Sequence, residues 1–461
     1  MSPLLRTKAI NADHHLEDTG LRRCLGPLDL TLMGIGAIIG AGIFVLTGVA
    51  AATHAGPGIV LSYVVAGLAC AFSALAYAEL AASIGGCGSA YGYAYAGLGE
   101  LAAWIIGWDL ILEYGVAVAA VAIGWSGYVG NALTAMGLSL PAALVQGPWE
   151  GGLVNLPAAL IVLVLATLLA AGVRESARFN AVMVLVKLLA IGTFIGVALF
   201  NVDPANWTPF LPFGWSGVMQ GAALIFFAYI GFDAVSTAAE EARDPQRDLP
   251  IGILASLAVC TLIYVLVAGL LTGAAPYASL NVASPVADVV LRLGHAGLAG
   301  LVAAGAIAGL TTVMLVLYYG LSRVFLAMAR DGLLPPLFAE VHPRTQTPLR
   351  VILATGVLIA LIAGLTPIGR VAELVNIGTL AAFLLVCLGV LVLRTTRPDL
   401  PRPFRTPLMP LVPLLGAGSC LYLMVSLPWE TWVRFGVWLA LGLVVYFTYA
   451  MRRSLLARSA L

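Results

Sequence analysis

The chain carries little charge for its length. Only 10% of its 461 residues are Asp, Glu, Lys or Arg, and 61% are hydrophobic, whereas a soluble domain has about 25% charged and roughly 45 to 50% apolar residues. A soluble protein with this composition would have too few polar groups to cover its surface, but a bilayer supplies about 30 Å of apolar surroundings. The composition therefore excludes a water-soluble globular protein and indicates an all-α polytopic membrane protein.

Several other features are missing. Lys and Arg number 23 and Asp and Glu 22, so neither sign dominates and no nucleic-acid partner is expected. The six cysteines are scattered without a disulfide or zinc pattern, and no metal or cofactor is expected. The polar N-terminus lacks the apolar core and cleavage site of a secretory signal, so we expect the first membrane helix to stay in the protein.

Long, weakly charged runs mark the predicted membrane spans, because about 20 apolar residues cross the hydrocarbon. Twelve result, near residues 28–50, 58–83, 97–130, 155–173, 177–200, 213–238, 249–273, 297–328, 350–366, 371–393, 408–427 and 432–451. The predicted domains are a cytoplasmic N-terminal segment (1–27), a core of spans one to ten (28–393), a cytoplasmic connection (394–407), spans eleven and twelve (408–451) and a cytoplasmic tail (452–461).

The distribution of positive charge predicts the orientation of these spans. With the N-terminus inside, 19 of the 23 Lys and Arg residues fall in inside segments, three fall outside, and Lys187 remains within a span. Cytoplasmic loops carry an excess of Lys and Arg. We therefore expect a multi-pass protein of the cell inner (plasma) membrane with both termini in the cytoplasm.

Two function classes find little support in the spans. An integral membrane enzyme would need a nucleophile and base or a metal cluster, yet none of the five histidines is central in a predicted span. A channel would need a continuous polar pore, and the acids and bases within the spans are too few and too isolated for one. The sequence therefore does not favour an enzyme or a channel.

The first and sixth spans have middles that are poorly suited to a continuous helix. The first has four glycines within residues 34–42, and the sixth has Gly231 close to Asp233. The two spans are five apart and hence oppositely oriented, as expected of two inverted five-helix repeats with discontinuous helices at equivalent places, followed here by two extra helices. No residue-level identity between the halves is evident, so the repeat is inferred from topology.

The glycines of the first span have two interpretations. Gly36 and Gly40 form a small-xxx-small pattern that lets helices approach closely. The matching interruption in span six favours an unwound helix, whose free N–H and carbonyl groups need partners that lipid does not offer. A zwitterion supplies both kinds of partner. The predicted substrate-binding groups are the N–H groups at Ala41 and Gly42 for a carboxylate, and the carbonyls of Ile38, Phe227, Ala228 and Ile230 for an ammonium.

Lys187 is one of only two lysines in the chain. It lies about ten residues, or roughly 15 Å, beyond the cytoplasmic start of span five and hence near the bilayer midplane. A lone ammonium there must be neutral part of the time, pair with an acid, or lie against carbonyls of a broken helix. Each case makes Lys187 a candidate proton-coupling residue. The alternative is a fixed cation that replaces a bound metal ion and never titrates.

Acidic residues near the predicted site also have two interpretations. Asp109 and Glu113 lie on one face of span three, and we predict that Glu113 gives electrostatic support near a substrate ammonium. The alternative, a polar clamp between helices, is favoured for Asp109.

The cytoplasmic segment 240–250 mixes charges of both signs and ends in Pro250, which is suited to starting the seventh helix. It is interpreted as a solvated loop or as a gate latch.

Four stretches resemble the cationic amino acid transporter family of the amino acid, polyamine and organocation superfamily. They are residues 34–44, 107–114, 227–236 and 328–335, and the resemblance extends over nearly the whole chain. It implies the fold first described for sodium-coupled leucine transporters, with alternating access around a midplane site. It also implies that Lys187 occupies the place of an ion, so that transport is independent of sodium. Family members with twelve spans are similar to bacterial transporters.

The resemblance also places the eighth span at the substrate site, where Met314 is predicted to close the pocket below a substrate side chain. A lipid-facing or packing methionine is the alternative. Because no acid in this stretch can pair with a guanidinium, small neutral amino acids are favoured over lysine or arginine as substrates.

The expected partners are an amino acid substrate, protons and membrane lipid, and an accessory membrane subunit is not predictable from the sequence. Uncoupled exchange, or a sensor that does not transport, remains the alternative to proton-coupled transport.

Overall fold

The protein consists of helices and their connecting loops in the part that the computed structural model describes, which comprises residues 6–8, 21–135, 137–138, 140–282, 284–366, 368–425, 427 and 429–458. Within these residues there is no strand, only an isolated parallel bridge between Leu25 and Ala242. Most of the predicted N-terminal segment (1–5 and 9–20) and the end of the predicted tail (459–461) lie outside the described residues.

A helix is present at each of the twelve predicted spans. These main helices are α1 (Pro27–Ile38), α2 (Ile59–Ile84), α3 (Glu100–Ala135), α4 (Leu156–Ala171), α5 (Val173–Leu199), α6 (Gly214–Ile225), α7 (Pro245–Ala274), α8 (Ala296–Arg330), α9 (Leu349–Leu365), α10 (Ile368–Thr396), α11 (Leu411–Val425) and α12 (Trp429–Val445). After α1 the first span continues as three short helical segments, Gly42–Leu46, Thr47–Ala50 and Ala51–Ala55.

Eight helical stretches in the described chain are long and apolar enough to cross a membrane, judged by length and composition. The apolar helices α1, α4, α9 and α11 are shorter than these. On α5, the side chains of Val182, Leu185 and Leu189 lie on one face and are 54%, 57% and 68% exposed. An exposed apolar face of this kind suits a lipid environment. The protein is thus a polytopic membrane protein, while the number of crossings stays a prediction.

The start of α7 differs from the expectation for Pro250. The helix begins at Pro245, and Pro250 lies inside it. Pro245 suits the first turn because the N–H groups there have no acceptor within the helix, so a proline costs no hydrogen bond. The expectation that Pro250 starts the helix was wrong because an earlier proline already meets the same requirement.

The interior of the protein is built around α1, which packs against α5, α7 and α8. Glycines allow these approaches. A Cβ at Gly40 would lie 2.6 Å from Cγ2 of Val313 on α8, and one at Gly36 would lie 3.0 Å from Nδ2 of Asn180 on α5. Close packing and interruption of the helix therefore occur in the same segment. The two interpretations of the glycines are not exclusive.

The last two main helices lie beside this core. α11 packs on α2 and α10, and α12 packs on α3 and α10. Three indole N–H groups join α3 to α12. That of Trp104 donates to the carbonyl of Gly442 (2.8 Å), that of Trp108 to the carbonyl of Trp438 (3.0 Å), and that of Trp438 to the carbonyl of Trp108 (3.1 Å). Neither α11 nor α12 packs extensively on α1, so the candidate site is formed by the earlier helices.

Candidate functional site

The first interruption follows the end of α1. Ile39 has extended backbone angles (φ −78°, ψ 101°), and the helix resumes at Gly42, with Ala41 as its N-terminal cap. Because the first N–H groups of a helix have no acceptor within it, those of Ala41 and Gly42 are available to a ligand. The last carbonyls of α1 likewise lack helical partners. One short segment therefore presents donors and acceptors together.

The second interruption follows α6. Residues Phe226–Tyr229 form a 3-10 turn, Ile230 is extended (ψ 137°), and Gly231 has a φ of +118°. Glycine is required at this position twice over. A side chain would be strained at that φ, and its Cβ would lie 2.8 Å from the Cβ of Ala37 in α1. The carbonyl of Phe227 accepts the N–H of Ile230 (3.3 Å), which leaves one of its lone pairs for a ligand.

The two interruptions touch each other. A Cβ at Gly42 would collide with the Cβ of Ala228 and lie 2.7 Å from its Cα. The structure thus brings together the segment that holds Ile38, Ala41 and Gly42 and the segment that holds Ala228. These segments supply most of the predicted substrate-binding groups. The site has both N–H donors and carbonyl acceptors in a region walled by apolar side chains.

Lys187 is fully buried on α5, at the carbonyl end of α1. Its Nζ lies 2.9 Å from the oxygens of Ile35 and Ile39, 3.1 Å from that of Gly36 and 2.9 Å from Oγ1 of Thr312 on α8. These four acceptors exceed the three protons of an ammonium, and the end of a helix carries partial negative charge. No acid is among these contacts. Of the three possibilities for a midplane lysine, the structure shows contact with carbonyls of a broken helix.

Glu113 is buried on α3 and faces α10. Its Oε1 accepts a hydrogen bond from Thr379 (2.6 Å), and its Oε2 has no hydrogen-bond partner among the described residues. It lies one helical turn beyond Asp109 on the same face of α3, so the two carboxylates are neighbours. The hydrogen bond to α10 is the helix-to-helix clamp that was the alternative interpretation. Support of a substrate ammonium by Glu113 stays a prediction.

Asp109 and Asp233 complete this acidic group. A Cβ at Gly378 of α10 would lie 2.6 Å from Oδ1 of Asp109, an oxygen that has no hydrogen-bond partner among the described residues. Asp233 accepts hydrogen bonds from the hydroxyl of Tyr114 and from the N–H of Gly231. Asp233 therefore fixes the turn of the second interruption against α3. No three His, Cys, Asp or Glu side chains in the described chain are grouped so as to hold a metal ion.

Met314 is fully buried in α8. The lipid-facing interpretation of this residue is therefore wrong. A packing role and a role as the floor of the substrate pocket are both compatible with this burial. The choice between them stays a prediction.

The cytoplasmic segment after the second interruption is not a solvated loop at its start. Glu241 is fully buried and pairs with Arg323 of α8 (2.7 Å), and Glu240 pairs with Arg330 (2.6 Å). Burial alone would raise the pKa of Glu240, but the charge and hydrogen bond of Arg330 and the hydrogen bonds of Cys87 lower that pKa below its usual value. These pairs join the sixth span to α8, while a latch function stays a prediction.

Some residues at the site escaped sequence analysis. The hydroxyl of Tyr264 on α7 reaches both interruptions, and that of Thr312 lies between Lys187 and the Gly36 carbonyl. Asn180 on α5 donates to the carbonyl of Leu32 in α1 (3.1 Å). The signal that could have identified them is a hydrogen-bonding side chain deep within an apolar run, since such groups need a partner inside the protein.

Comparison with known proteins identifies the family of this chain. A family model described as amino acid permease matches residues 25–447. The chain is 50% identical over 459 residues to the methylthioribose transporter of Bacillus subtilis (strain 168), which covers 99% of this chain and 100% of the relative. It is 52% identical over 442 residues to the branched-chain amino acid permease BcaP of the same organism, with 95% of each chain covered.

Eukaryotic relatives are more distant but match the resemblance in the sequence. The vacuolar cationic amino acid transporter 4 of Arabidopsis thaliana is 38% identical over 410 residues, covering 87% of this chain and 68% of the relative. These relatives are named as transporters and permeases and not as enzymes. The chain belongs to the amino acid permease family, within the amino acid, polyamine and organocation superfamily, and is related to the cationic amino acid transporters.

Proposed function

We propose that this protein is a secondary active transporter that moves L-amino acids across the plasma membrane by alternating access, coupled to protons and independent of sodium. The observation that carries the proposal is the contact between two interrupted helices, which brings N–H groups without a helical acceptor and carbonyls with free lone pairs to one place. Lipid offers no partner to such groups, so a ligand that has both a carboxylate and an ammonium satisfies them.

The proposed binding mode divides the substrate between donors and acceptors. Its carboxylate binds the N–H groups of Ala41 and Gly42, at the positive end of the resumed helix. Its ammonium binds carbonyls of both interruptions, namely those of Ile38, Phe227, Ala228 and Ile230. This mode ignores the side chain, which extends towards α8.

The proposed architecture has twelve crossings with both termini in the cytoplasm. The twelve main helices support this count. We propose that α1 to α5 and α6 to α10 are inverted repeats, since the interruptions fall in the first helix of each half. The proposal keeps the domain division that the sequence predicts, with a core (28–393), a connection (394–407) and the last two helices (408–451). Lipid surrounds the exposed face of α5, and an accessory subunit is not part of the proposal.

The coupling mechanism rests on the four acceptors around Lys187. A charged Lys187 holds the end of α1 against α5 and α8, whereas a neutral one releases at least one carbonyl. A change in protonation would thus alter how firmly the cytoplasmic half of the first span is held. The alternative is a permanent cation, with exchange of substrates and no net proton movement. The full set of acceptors supports that alternative too, and the two differ in their response to a proton gradient.

The proposed substrates are small neutral amino acids, with Glu113 near the ammonium and Met314 below the side chain. A second candidate is methylthioribose, because a relative named as its transporter is 50% identical over 99% of this chain. That sugar has neither a carboxylate nor an ammonium. The branched-chain and cationic substrates in the names of other relatives have both, so a competition experiment separates the two candidates.

Counterflow of labelled alanine in proteoliposomes tests the proposed function. We expect labelled alanine to exchange with unlabelled small amino acids, whereas amino acid methyl esters and decarboxylated amines compete poorly. Exchange across the membrane distinguishes a transporter from a sensor. Competition by the amine equal to that by the amino acid would remove the carboxylate from the binding mode. Counterflow of methylthioribose without counterflow of any amino acid would favour the second candidate.

Substitution of Gly42 by alanine should weaken substrate binding strongly. The added Cβ collides with Ala228, so the two interruptions must separate. We expect at least a tenfold loss of affinity, which corresponds to about 1.4 kcal/mol. Gly192→Ala is the control, because a Cβ at this α5 glycine meets nothing within 4 Å. Titration of the purified variants with alanine measures the effect, and equal affinities for the two variants would contradict the proposed contact.

Replacing Lys187 by alanine should remove accumulation that depends on pH. Vesicles with an imposed proton gradient should concentrate substrate with the wild type but only equilibrate it with Lys187→Ala. Lys8→Ala is the control, since Lys8 is the only other lysine and pairs with Asp331 away from the site (2.6 Å). If Lys187→Ala still concentrates substrate under the gradient, Lys187 has only a structural role.

Met314→Ser should widen the range of substrates to larger side chains if Met314 is the floor of the pocket. The smaller side chain removes apolar volume below the bound substrate. The control is Met424→Ser, at a buried methionine of α11 outside the candidate site. Uptake of alanine, leucine and arginine by both variants measures selectivity. An unchanged order of preference, or a wild type that prefers arginine over alanine, would show that the pocket lies elsewhere.

A further inference from the structure

Tyr264 connects the two interruptions from a third helix. It is fully buried on α7, and its hydroxyl oxygen lies 2.7 Å from the carbonyl oxygen of Ile38 and 2.8 Å from that of Ala228. Ile38 belongs to the first interruption and Ala228 to the second. A single side chain therefore contacts one carbonyl on each side of the candidate ammonium site.

The hydrogen-bond acceptors around the Tyr264 hydroxyl outnumber the donors. A phenol has one proton to donate, so at any moment only one of the two carbonyls receives it. Each carbonyl has two lone pairs, and the tyrosine oxygen can itself accept a hydrogen bond. The group formed by Tyr264 and the carbonyls of Ile38 and Ala228 thus has acceptors in excess and a single donor. A buried group of this kind favours a ligand that only donates.

The position of the Tyr264 hydroxyl is fixed by two other tyrosines. The centroid of its ring lies 5.1 Å from the ring centroid of Tyr63 and 5.3 Å from that of Tyr229. The hydroxyl of Tyr229 donates to the carbonyl of Tyr63 (2.9 Å), and that of Tyr63 bonds with Thr47 (2.7 Å). The hydroxyls of these two neighbours therefore have partners of their own, which for Tyr63 include the carbonyl of Gly42 (3.3 Å), and their rings hold Tyr264 in place. A group held in this way is preorganised for a ligand.

From this geometry we propose that Tyr264 is a positioning and specificity residue for a primary ammonium. Its hydroxyl sets the separation of the Ile38 and Ala228 carbonyls and accepts one N–H of the ligand, while each carbonyl accepts another. The three N–H groups of a primary ammonium match these three acceptors, and the carbonyls of Phe227 and Ile230 remain as further acceptors beside its charge. A hydroxyl in place of the amine has one donor and satisfies one acceptor only. The inference rests on the proposed amino acid substrate and adds the residue that selects the amine.

Tyr264→Phe tests this role against a matched control. The variant keeps the ring and removes the oxygen. The control is Tyr77→Phe, because Tyr77 is fully buried on α2 and its hydroxyl has no hydrogen-bond partner in the described chain. The measurements are the affinities of wild type, Tyr264→Phe and Tyr77→Phe for alanine and for propionate, which is alanine without its amine.

We expect Tyr264→Phe to bind alanine at least tenfold more weakly than wild type and to bind propionate within twofold of wild type. Tyr77→Phe should match wild type for both compounds. Retained binding of propionate also shows that the variant is folded. Unchanged alanine affinity in Tyr264→Phe overturns the inference, and so does an equal loss for both compounds, which would indicate a general structural role.

A second measurement uses the wild type alone. Addition of methyl groups to the alanine nitrogen removes its N–H groups, and the trimethylated compound keeps its positive charge without any donor. We expect this compound not to compete with alanine. Equal competition would show that charge and not N–H donation is recognised, and would overturn the role of Tyr264. Failure of the wild type to bind alanine at all would instead overturn the proposed function, and the inference with it.

Discussion

The need of every backbone polar group for a partner dominates this structure. Within a bilayer a continuous helix meets that need by itself, and an interrupted helix does not. α1 ends at Ile38 and α6 at Ile225, so both leave carbonyl and N–H groups that must be satisfied by side chains or by a ligand. The buried polar residues around these two breaks are best understood as partners for that exposed backbone.

Two side chains contact most of the carbonyls of the first break. Lys187 takes those of Ile35, Gly36 and Ile39, and Tyr264 takes that of Ile38. The first group is nearest to α5 and α8, and the second faces the other break. The lysine thus stabilises the end of the helix, while the tyrosine lies beside the place where a ligand is proposed to bind. This division keeps structural stabilisation separate from recognition.

The sequence was sufficient to locate the helices, the breaks and Lys187, because each depends on composition or on position along one chain segment. Rotation of a helix about its axis depends on its neighbours, and there the sequence was insufficient. The partner of Glu113, for example, could not be predicted from the sequence: its carboxylate accepts a hydrogen bond from Thr379 of α10, while its support of a substrate ammonium stays a prediction. Tyr264 was missed for the same reason, since a tyrosine in an apolar run does not reveal which carbonyls lie opposite it.

The covalent attachment of the Lys187 ammonium has a consequence for the conditions in which the protein keeps its shape. A free ion at the end of α1 would be lost on dilution, but a tethered one has a local concentration fixed by the length of its side chain. In the proposed coupling mechanism, occupancy of these four acceptors by the charged form depends on acidity and not on the salt composition outside. The packing of α1 against α5 and α8 should accordingly be the same in fresh water as in brine.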